Sequence, residues 1–401
     1  MSEKIVEKNK YKRIFLIVID SLGIGFDPEA KNFNDEGANT LSHIISNVDN
    51  IKMSNLQNMG MANLIDNDKM KHVEKPIAYC MRLHEKSNAK STMEGHWEMM
   101  GVETKVPFKT FTDTGFPIEL IKKIEEVSGR EVIGNKAASG TEIIKELGEE
   151  EINNHKIIVY TSADSVLQIC GHEDTFDLKE LYRVCEKVRE ITLAPEYRVG
   201  RVIARPYKGT NKDNFERTSN RHDYTLAPPT KTVLDILNDN NIDTIGVGKI
   251  GDIFSMHGIK ESLHSDSSVE GMDQTIDILK NKNFNGFCFV NLVDFDAKWG
   301  HRRNVNGYAK EIENFDEKIK IFMDNMKEDD LLMITADHGN DPTWRGTDHT
   351  REYVPLLIYS KKLKEPKKLN DQESFAIIGN MILKNFDIKT NDDLIKNEIK
   401  E

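Results

Sequence analysis

The chain has 401 residues, 38% of them hydrophobic, a length that allows a large core and two domains. Its 55 Lys and Arg residues against 67 Asp and Glu give a formal charge of −12, which argues against a general nucleic-acid-binding or anionic-membrane surface. The first ten residues are charged, no apolar run approaches membrane-spanning length, and we expect a cytoplasmic protein.

Short apolar runs alternate with amphipathic patterns along the chain. In order, we predict a strand over residues 14–19, a helix over 117–127, a strand over 157–160, a helix over 232–237, strands over 244–247 and 287–293, a helix over 308–326, strands over 331–334 and 355–358, and a helix over 373–386. Gly129 is the expected C-cap of the first helix and Thr230 the expected cap of the second. The alternation predicts an α/β fold with a mostly parallel sheet flanked by helices.

A long stretch between Pro107 and the Pro228–Pro229 pair separates the first predicted strand from most of the others. It is long enough to be an inserted domain bounded by prolines. We therefore predict a core domain whose first part is residues 1–107, an inserted cap domain over 108–225, and the second part of the core over 226–401.

Three of the predicted strands end in acidic residues, and histidines follow two of them. Because the carboxyl ends of parallel strands meet at one edge of a sheet, these side chains are expected to converge there. A single Asp at a strand end is also typical of a helix N-cap or a turn, which is the expected role of Asp294. Three carboxylates and three imidazoles at one edge are instead typical of a site for two divalent ions. The six residues are Asp20, Asp296, His301, Asp337, His338 and His349.

The candidate nucleophile lies in residues 90–101. Metal coordination can lower the pKa of a hydroxyl or a water, so Ser91, Thr92 and a metal-bound water are all possible nucleophiles on chemical grounds. Competing motifs fail: Gly23 and Gly25 begin a dinucleotide fingerprint, but Pro28 occupies its third glycine position.

Over nearly its whole length the chain resembles the phosphopentomutase family of the alkaline phosphatase superfamily. The matching segments are residues 18–25, 92–98 (Thr-x-x-Gly-His-Trp-Glu), 110–117, 160–166, 201–206, 293–296, 300–303 and 337–352. The resemblance implies an alkaline-phosphatase-like core with a mostly parallel sheet, interrupted by a smaller α/β cap domain.

The resemblance also implies roles for individual residues. One ion would be held by Asp296, His301 and His349, the other by Asp20, Asp337 and His338, with Thr92 phosphorylated between them. Substrate contacts would come from Ser162, Asp164, Arg201, Lys249 and the backbone of Ile203. The family usually uses Mn²⁺, although mixed carboxylate and imidazole ligands suit Zn²⁺ as well.

The implied activity is the interconversion of (deoxy)ribose 1-phosphate and (deoxy)ribose 5-phosphate in nucleoside salvage, with glucose 1,6-bisphosphate as activator. One position departs from the family, which commonly has Asp where this chain has Ser91, and the change removes a negative charge beside the nucleophile. An alternative is a metal-dependent phosphatase or phosphodiesterase of the same superfamily, which would use the same ions for hydrolysis. A non-enzymatic metal-binding protein that has kept the scaffold is a further alternative. The Thr92 motif argues against the related phosphoglycerate mutases, which use a serine.

Overall fold

The computed structural model describes residues 11–162 and 165–389. The strands are β1 (Arg13–Ile19), β2 (Tyr79–Leu83), β3 (Val132–Ala137), β4 (Ile157–Thr161), β5 (Val166–His172), β6 (Arg201–Lys208), β7 (Glu216–Arg217), β8 (His222–Thr225), β9 (Asp243–Val247), β10 (Glu261–Leu263), β11 (Gly286–Leu292), β12 (Asp330–Thr335) and β13 (Val354–Tyr359). The α-helices are α1 (Thr40–Asn47), α2 (Ser54–Asn58), α3 (Thr92–Met99), α4 (Ile118–Ser128), α5 (Gly140–Asn154), α6 (Leu178–Ile191), α7 (Val233–Asp239), α8 (Ile250–Ile253), α9 (Ser268–Asn281), α10 (Val305–Asn325) and α11 (Ala376–Asn385).

The described residues form two compact units. The core unit comprises the residues up to Lys105 and those from Pro228 onwards, and the cap unit is Val106–Ala227. These limits lie two residues from the predicted limits of the inserted domain, residues 108 and 225. No helix among the described residues is long and apolar enough to cross a membrane.

A seven-stranded sheet with the order β10-β9-β11-β1-β12-β13-β2 forms the centre of the core unit. The strands from β10 to β12 are parallel, and β13 is antiparallel to both of its neighbours. Every residue of β1, β11 and β12 is buried, which explains why these strands are nearly continuous apolar runs. Val18 lies opposite both Asn291 and Thr335, so the three strands end at the same level.

The cap unit has its own six-stranded sheet, with the order β3-β4-β5-β6-β7 and with β8 also paired to β6. Its strands run in mixed directions: β5 and β6 are parallel, whereas β4 and β5 are antiparallel. Buried side chains of α4 and α6 belong to one apolar cluster of this unit, and those of α5 belong to a second cluster. The sheet therefore separates two small cores.

All the predicted strands and helices occur in the structure, and Gly129 caps α4 in the left-handed conformation that its position requires. The predicted cap Thr230 is wrong. The cap of α7 is Thr232, whose hydroxyl accepts from the Asp235 N–H while the Asp235 side chain accepts from the Thr232 N–H. This reciprocal capping box satisfies two backbone groups that a cap at residue 230 could not reach.

Candidate metal centre

The first group of candidate ligands joins the ends of β1 and β12. Asp20, Asp337 and His338 are buried, and one ligand atom of each lies within 4.8 Å of the others. The backbone turns sharply at Ser21, whose φ is 70°, and its N–H donates to Asp337 Oδ1 over 2.9 Å. His338 Nε2 lies 3.5 Å from Asp20 Oδ1 and 3.5 Å from Asp337 Oδ2. These residues form a compact set of donor atoms.

The second group lies beyond the end of β11. Asp296 is on a π-helical turn, Phe295–Gly300, a local geometry that is frequent at functional sites. His301 Nε2 lies 3.0 Å from Asp296 Oδ2, and His349 Nε2 lies 3.4 Å from Asp296 Oδ1. His338 also belongs to this group, because its ligand atom lies within 4.8 Å of those of Asp296 and His349. His338 is thus common to both groups, and all six predicted ligand residues lie at one edge of the sheet.

Asp294, the other acidic residue after β11, has a different role. Its carboxylate accepts from the Ser268 N–H at the start of α9 and pairs with Lys298 over 3.0 Å. Because the Asp294 carboxylate is already bound by these two groups, it is not a candidate metal ligand. The expectation that Asp294 serves a helix start or a turn is consistent with this geometry.

The three candidate imidazoles are held in the same way. In each ring Nδ1 lies close to a backbone carbonyl oxygen. His338 Nδ1 is 3.0 Å from that of Gly339, His349 Nδ1 is 2.9 Å from that of Lys90, and His301 Nδ1 is 2.7 Å from that of Thr347. A carbonyl can only accept, so Nδ1 carries the hydrogen in each ring and Nε2 keeps its lone pair. All three lone pairs are therefore available to a metal ion.

These donor atoms fit divalent cations. Asp20 Oδ1 and Asp337 Oδ2 are buried and accept no hydrogen bond from the described residues. The Nε2 atoms of His301 and His349 lie only 3.1 Å apart, and two lone pairs at that distance repel unless a positive charge lies between or beside them. A cation in each group would satisfy all of these atoms, and carboxylate with imidazole suits Mn²⁺ or Zn²⁺.

The electrostatics of the carboxyl groups agree with this fit. Burial raises the pKa of Asp20, and the neighbouring carboxylates of Asp337 and Asp296 raise it further, so that its ionised form lacks compensating charge. Burial alone would also raise the pKa of Asp296, but positive charge on the adjacent imidazoles of His349 and His301, whose place a bound cation would take, holds it well below its usual range. The group around Asp20 therefore has the greater need of a cation.

Thr92 is the hydroxyl that faces these groups. It is the first residue of α3, and its Oγ1 lies 3.1 Å from His338 Nε2. Because His338 Nδ1 carries the ring hydrogen, the Thr92 hydroxyl is the donor in this contact. The neighbouring Ser91 hydroxyl instead donates to the carboxylate of Glu94. Of the two candidate hydroxyls, only that of Thr92 contacts a candidate ligand through a hydrogen bond among those described.

Sequence reasoning missed residues that support the ligands. Asn340 Nδ2 donates to Asp296 Oδ1 over 2.7 Å, and Asn340 Oδ1 accepts from the Arg303 guanidinium. Arg303 also donates to the carbonyls of Gly346 and Asp348, which lie in the loop before His349. The only sequence signal was their position beside recognised ligands. Asn and Arg occur in many structural roles, so the residue type alone does not indicate that Asn340 and Arg303 support metal ligands.

The predicted substrate contacts are distributed over both units. In the cap unit, Ser162 follows β4, Arg201 begins β6 with Nη1 3.7 Å from Asp223 Oδ2, and Ile203 is buried two residues further on. Lys249 belongs to the core unit and directly precedes α8. Asp164 lies outside the described residues. The structure thus brings Arg201 and Ile203 together on one strand.

Comparison with known proteins supports both the fold and the chemistry. The model of the Metalloenzyme superfamily matches residues 12–390. The phosphopentomutase of Agathobacter rectalis is 57% identical over 392 residues, covering 98% of this chain and 99% of the relative. That of Clostridium beijerinckii is 58% identical over 380 residues, covering 95% and 96%. The fold is similar to that of a Leishmania mexicana phosphoglycerate mutase crystallised at low cobalt concentration, with a TM-score of 0.50, 12% identity and 98% of each chain covered.

Proposed function

The chain belongs to the phosphopentomutase family of the metalloenzyme superfamily, and we propose that it works through a phosphothreonine at Thr92. It is an isomerase, an intramolecular phosphotransferase that interconverts (deoxy)ribose 1-phosphate and (deoxy)ribose 5-phosphate. The observation that carries the proposal for Thr92 is the 3.1 Å contact between its Oγ1 and Nε2 of His338, a residue common to both ligand groups.

The proposal assigns a divalent ion to each ligand group. One ion is assigned to Asp296, His301 and His349, and the other to Asp20, Asp337 and His338. The Nδ1–H form of the three imidazoles, which turns Nε2 into the ligand atom, supports both assignments. Asp20 Oδ1 and Asp337 Oδ2, which accept no hydrogen bond from the described residues, support the second. When bound, the ions supply positive charge that stabilises the oxygens of the transferring phosphoryl group. We propose Mn²⁺ on the basis of the family resemblance, since the ligand types suit Zn²⁺ equally.

Thr92 has a position suited to carrying phosphate. Its Oγ1 attacks the phosphorus of a sugar bisphosphate such as glucose 1,6-bisphosphate, and the new O–P bond forms as the sugar O–P bond breaks. The proton lost by the Thr92 hydroxyl balances the one gained by the sugar oxygen that leaves. The first N–H groups of α3 have no partners within the helix, and the positive end of the helix dipole favours the phosphate dianion there.

Phosphorylated Thr92 then passes its phosphoryl group to the free hydroxyl of a pentose phosphate. The resulting bisphosphate returns its other phosphoryl group to Thr92, which regenerates the phosphothreonine and completes the isomerisation. Arg201 and Lys249 are proposed to hold the phosphate that does not react, because guanidinium and ammonium groups bind phosphate oxygens. Ser162, Asp164 and the Ile203 backbone are proposed to contact the sugar.

The test compares two adjacent hydroxyls in one assay. Ribose 1-phosphate is supplied with Mn²⁺ and glucose 1,6-bisphosphate, and both ribose 5-phosphate and orthophosphate are measured. Thr92→Ala is expected to abolish formation of ribose 5-phosphate while binding Mn²⁺ like the unaltered protein. Ser91→Ala is the matched control, because its hydroxyl contacts Glu94, and it is expected to retain turnover.

Two results would contradict the proposal. Turnover by the Thr92→Ala protein would remove Thr92 as the phosphorylated residue. Release of orthophosphate from ribose 1-phosphate without ribose 5-phosphate would identify a phosphatase instead of a mutase. Intact-protein mass spectrometry provides an independent reading, since a phosphorylated Thr92 adds the mass of one phosphoryl group.

A further inference from the structure

A buried asparagine contacts one of the candidate ligands from inside the sheet. Asn291 is fully buried near the end of β11, where its neighbours along the strand are apolar. Its Nδ2 donates to Asp20 Oδ2 over 2.9 Å and lies 3.3 Å from His96 Nε2. Its Oδ1 is buried and accepts no hydrogen bond from the described residues. An unsatisfied buried carbonyl lowers stability, so packing alone does not explain an amide here.

His96 links Asn291 to α3, the helix that begins at Thr92. It is fully buried on α3, its ring stacks on Phe289 with centroids 5.5 Å apart, and its Nδ1 lies 2.8 Å from the Thr92 carbonyl. Because a carbonyl only accepts, Nδ1 carries the hydrogen and Nε2 is left to accept from Asn291. The opposite orientation of the amide would place Oδ1 against the Asp20 carboxylate. The two side chains thus fix each other's hydrogen-bonding roles.

We propose that His96 and Asn291 are positioning residues of the metal centre. They form a hydrogen-bonded chain from the Thr92 carbonyl through His96 and Asn291 to Asp20 Oδ2. This chain leaves Asp20 Oδ1, the unpartnered oxygen, directed towards His338, 3.5 Å away, and sets the distance between the nucleophile and one ligand group. The inference rests on the proposed function, since it assigns a support to the ligands and the nucleophile named there.

His96 lies close to a second ligand as well. Its Nδ1 is 3.3 Å from Asp337 Oδ2, although the hydrogen is directed to the Thr92 carbonyl. The same ring therefore borders both carboxylates of the Asp20 group, one directly and the other through Asn291. Residues that orient metal ligands typically change metal affinity or activity by about 10-fold to 100-fold when they are replaced.

The first experiment measures Mn²⁺ binding to full-length protein stripped with a chelator. Asn291→Leu keeps the branched shape of the side chain and removes both amide hydrogens. We expect isothermal titration calorimetry to show one of two Mn²⁺ sites weakened by about 10-fold to 100-fold, with the other nearly unchanged. The matched control is Asn63→Leu, which removes two 2.8 Å hydrogen bonds to Val73 elsewhere in the core unit and is expected to leave both sites intact.

The second experiment measures the rate at which glucose 1,6-bisphosphate phosphorylates Thr92. His96→Leu removes both contacts and is expected to slow phosphorylation by about tenfold or more. His96→Asn keeps an amide hydrogen near the place of Nδ1, so it can still donate to the Thr92 carbonyl. It is expected to recover part of the rate that His96→Leu loses.

Thermal unfolding of the stripped proteins separates positioning from stability. We expect Asn291→Leu to lose affinity for Mn²⁺ without melting below Asn63→Leu. If the unaltered protein binds two ions and Asn291→Leu binds both equally well, the inference is overturned and the proposed function stands. If Asn291→Leu weakens Mn²⁺ binding only to the extent that it lowers the melting temperature of the protein, the role of Asn291 is structural and the inference is again overturned. If the unaltered protein binds no Mn²⁺, the proposed centre itself is overturned.

Discussion

Replacing Gly95 with alanine is a sharp test of the geometry, because α3 packs directly against the backbone that carries a ligand. A Cβ atom at residue 95 would lie 2.4 Å from the Asp337 carbonyl oxygen and 3.0 Å from its carbonyl carbon. Ordinary contacts begin at 3.4 Å, so α3 and the Asp337 backbone must separate by about 1 Å. Thr92 lies on the same helix, three residues earlier, and must move with it.

The effect on activity should exceed the effect on stability. Alanine in place of a helical glycine gains about 1 kcal/mol of helix propensity, while overpacking costs about 1–3 kcal/mol, so the net loss of stability is about 2 kcal/mol at most. A displacement of about 1 Å at reacting groups lowers turnover by about 100-fold. Gly95→Ala should therefore fold and yet turn over about 100 times more slowly.

The assay follows kcat with ribose 1-phosphate, together with chemical denaturation of the same preparation. Gly271→Ala is the matched control, since Gly271 is also helical and the atoms nearest to its new Cβ would belong to the side chains of Leu292 and Ser265, at 3.2 and 3.3 Å. That variant should keep its turnover. Wild-type kcat in Gly95→Ala protein would refute the argument that contact between α3 and Asp337 sets the position of Thr92.

Two further predictions concern support of the second ion and the pH dependence of stability. Arg303→Lys removes the forked guanidinium group that donates to the Gly346 and Asp348 carbonyls. Calorimetry should therefore show weaker binding of the ion assigned to the Asp296 group and little change in binding of the ion assigned to the Asp20 group. In the cap unit, burial raises the pKa of Glu151 to about 7 despite its hydrogen bonds from Tyr207 and the His172 N–H. The folded protein therefore holds this proton more tightly than the unfolded chain, and up to about 3 kcal/mol of stability, full below about pH 4.5, is lost as the pH rises through about 7. Glu151→Gln should reduce the fall in unfolding free energy between about pH 5 and about pH 8, and an unchanged fall would contradict the assignment.

The ligand side chains could be predicted because their positions follow from simple rules. Fully buried parallel strands are apolar over their whole length, so the residues where they end are visible in the sequence. Asp20 directly follows such a run and Asp337 is the second residue after β12. The strands β1, β11 and β12 prove to be neighbours that end at one level. Periodicity identified the elements, but not the order of strands in the sheet, which depends on long-range pairing.

The supports of those ligands could not be predicted in the same way. Asn291 lies inside an apolar run for which the sequence predicts only a strand, although a polar residue in a buried strand is itself a signal that it has a polar partner. The partner, Asp20, is 271 residues away in sequence, and no local pattern connects the two. The cap error has a different cause: Thr230 and Thr232 are both suitable caps, and only the reciprocal bond with Asp235 distinguishes them.

The structure gives a different view of Ser91, the position where the sequence resemblance leads us to expect an Asp. From sequence alone, serine removes a negative charge beside the nucleophile. In the folded protein the Ser91 hydroxyl donates to Glu94, a carboxylate that is buried on the first turn of α3. A carboxylate near the start of a helix is favoured by the helix dipole, and here it lies two residues after Thr92. The neighbourhood of the nucleophile therefore keeps an acidic group, supplied from the helix, while the Ser91 hydroxyl is directed towards that group and the Thr92 hydroxyl bonds to His338.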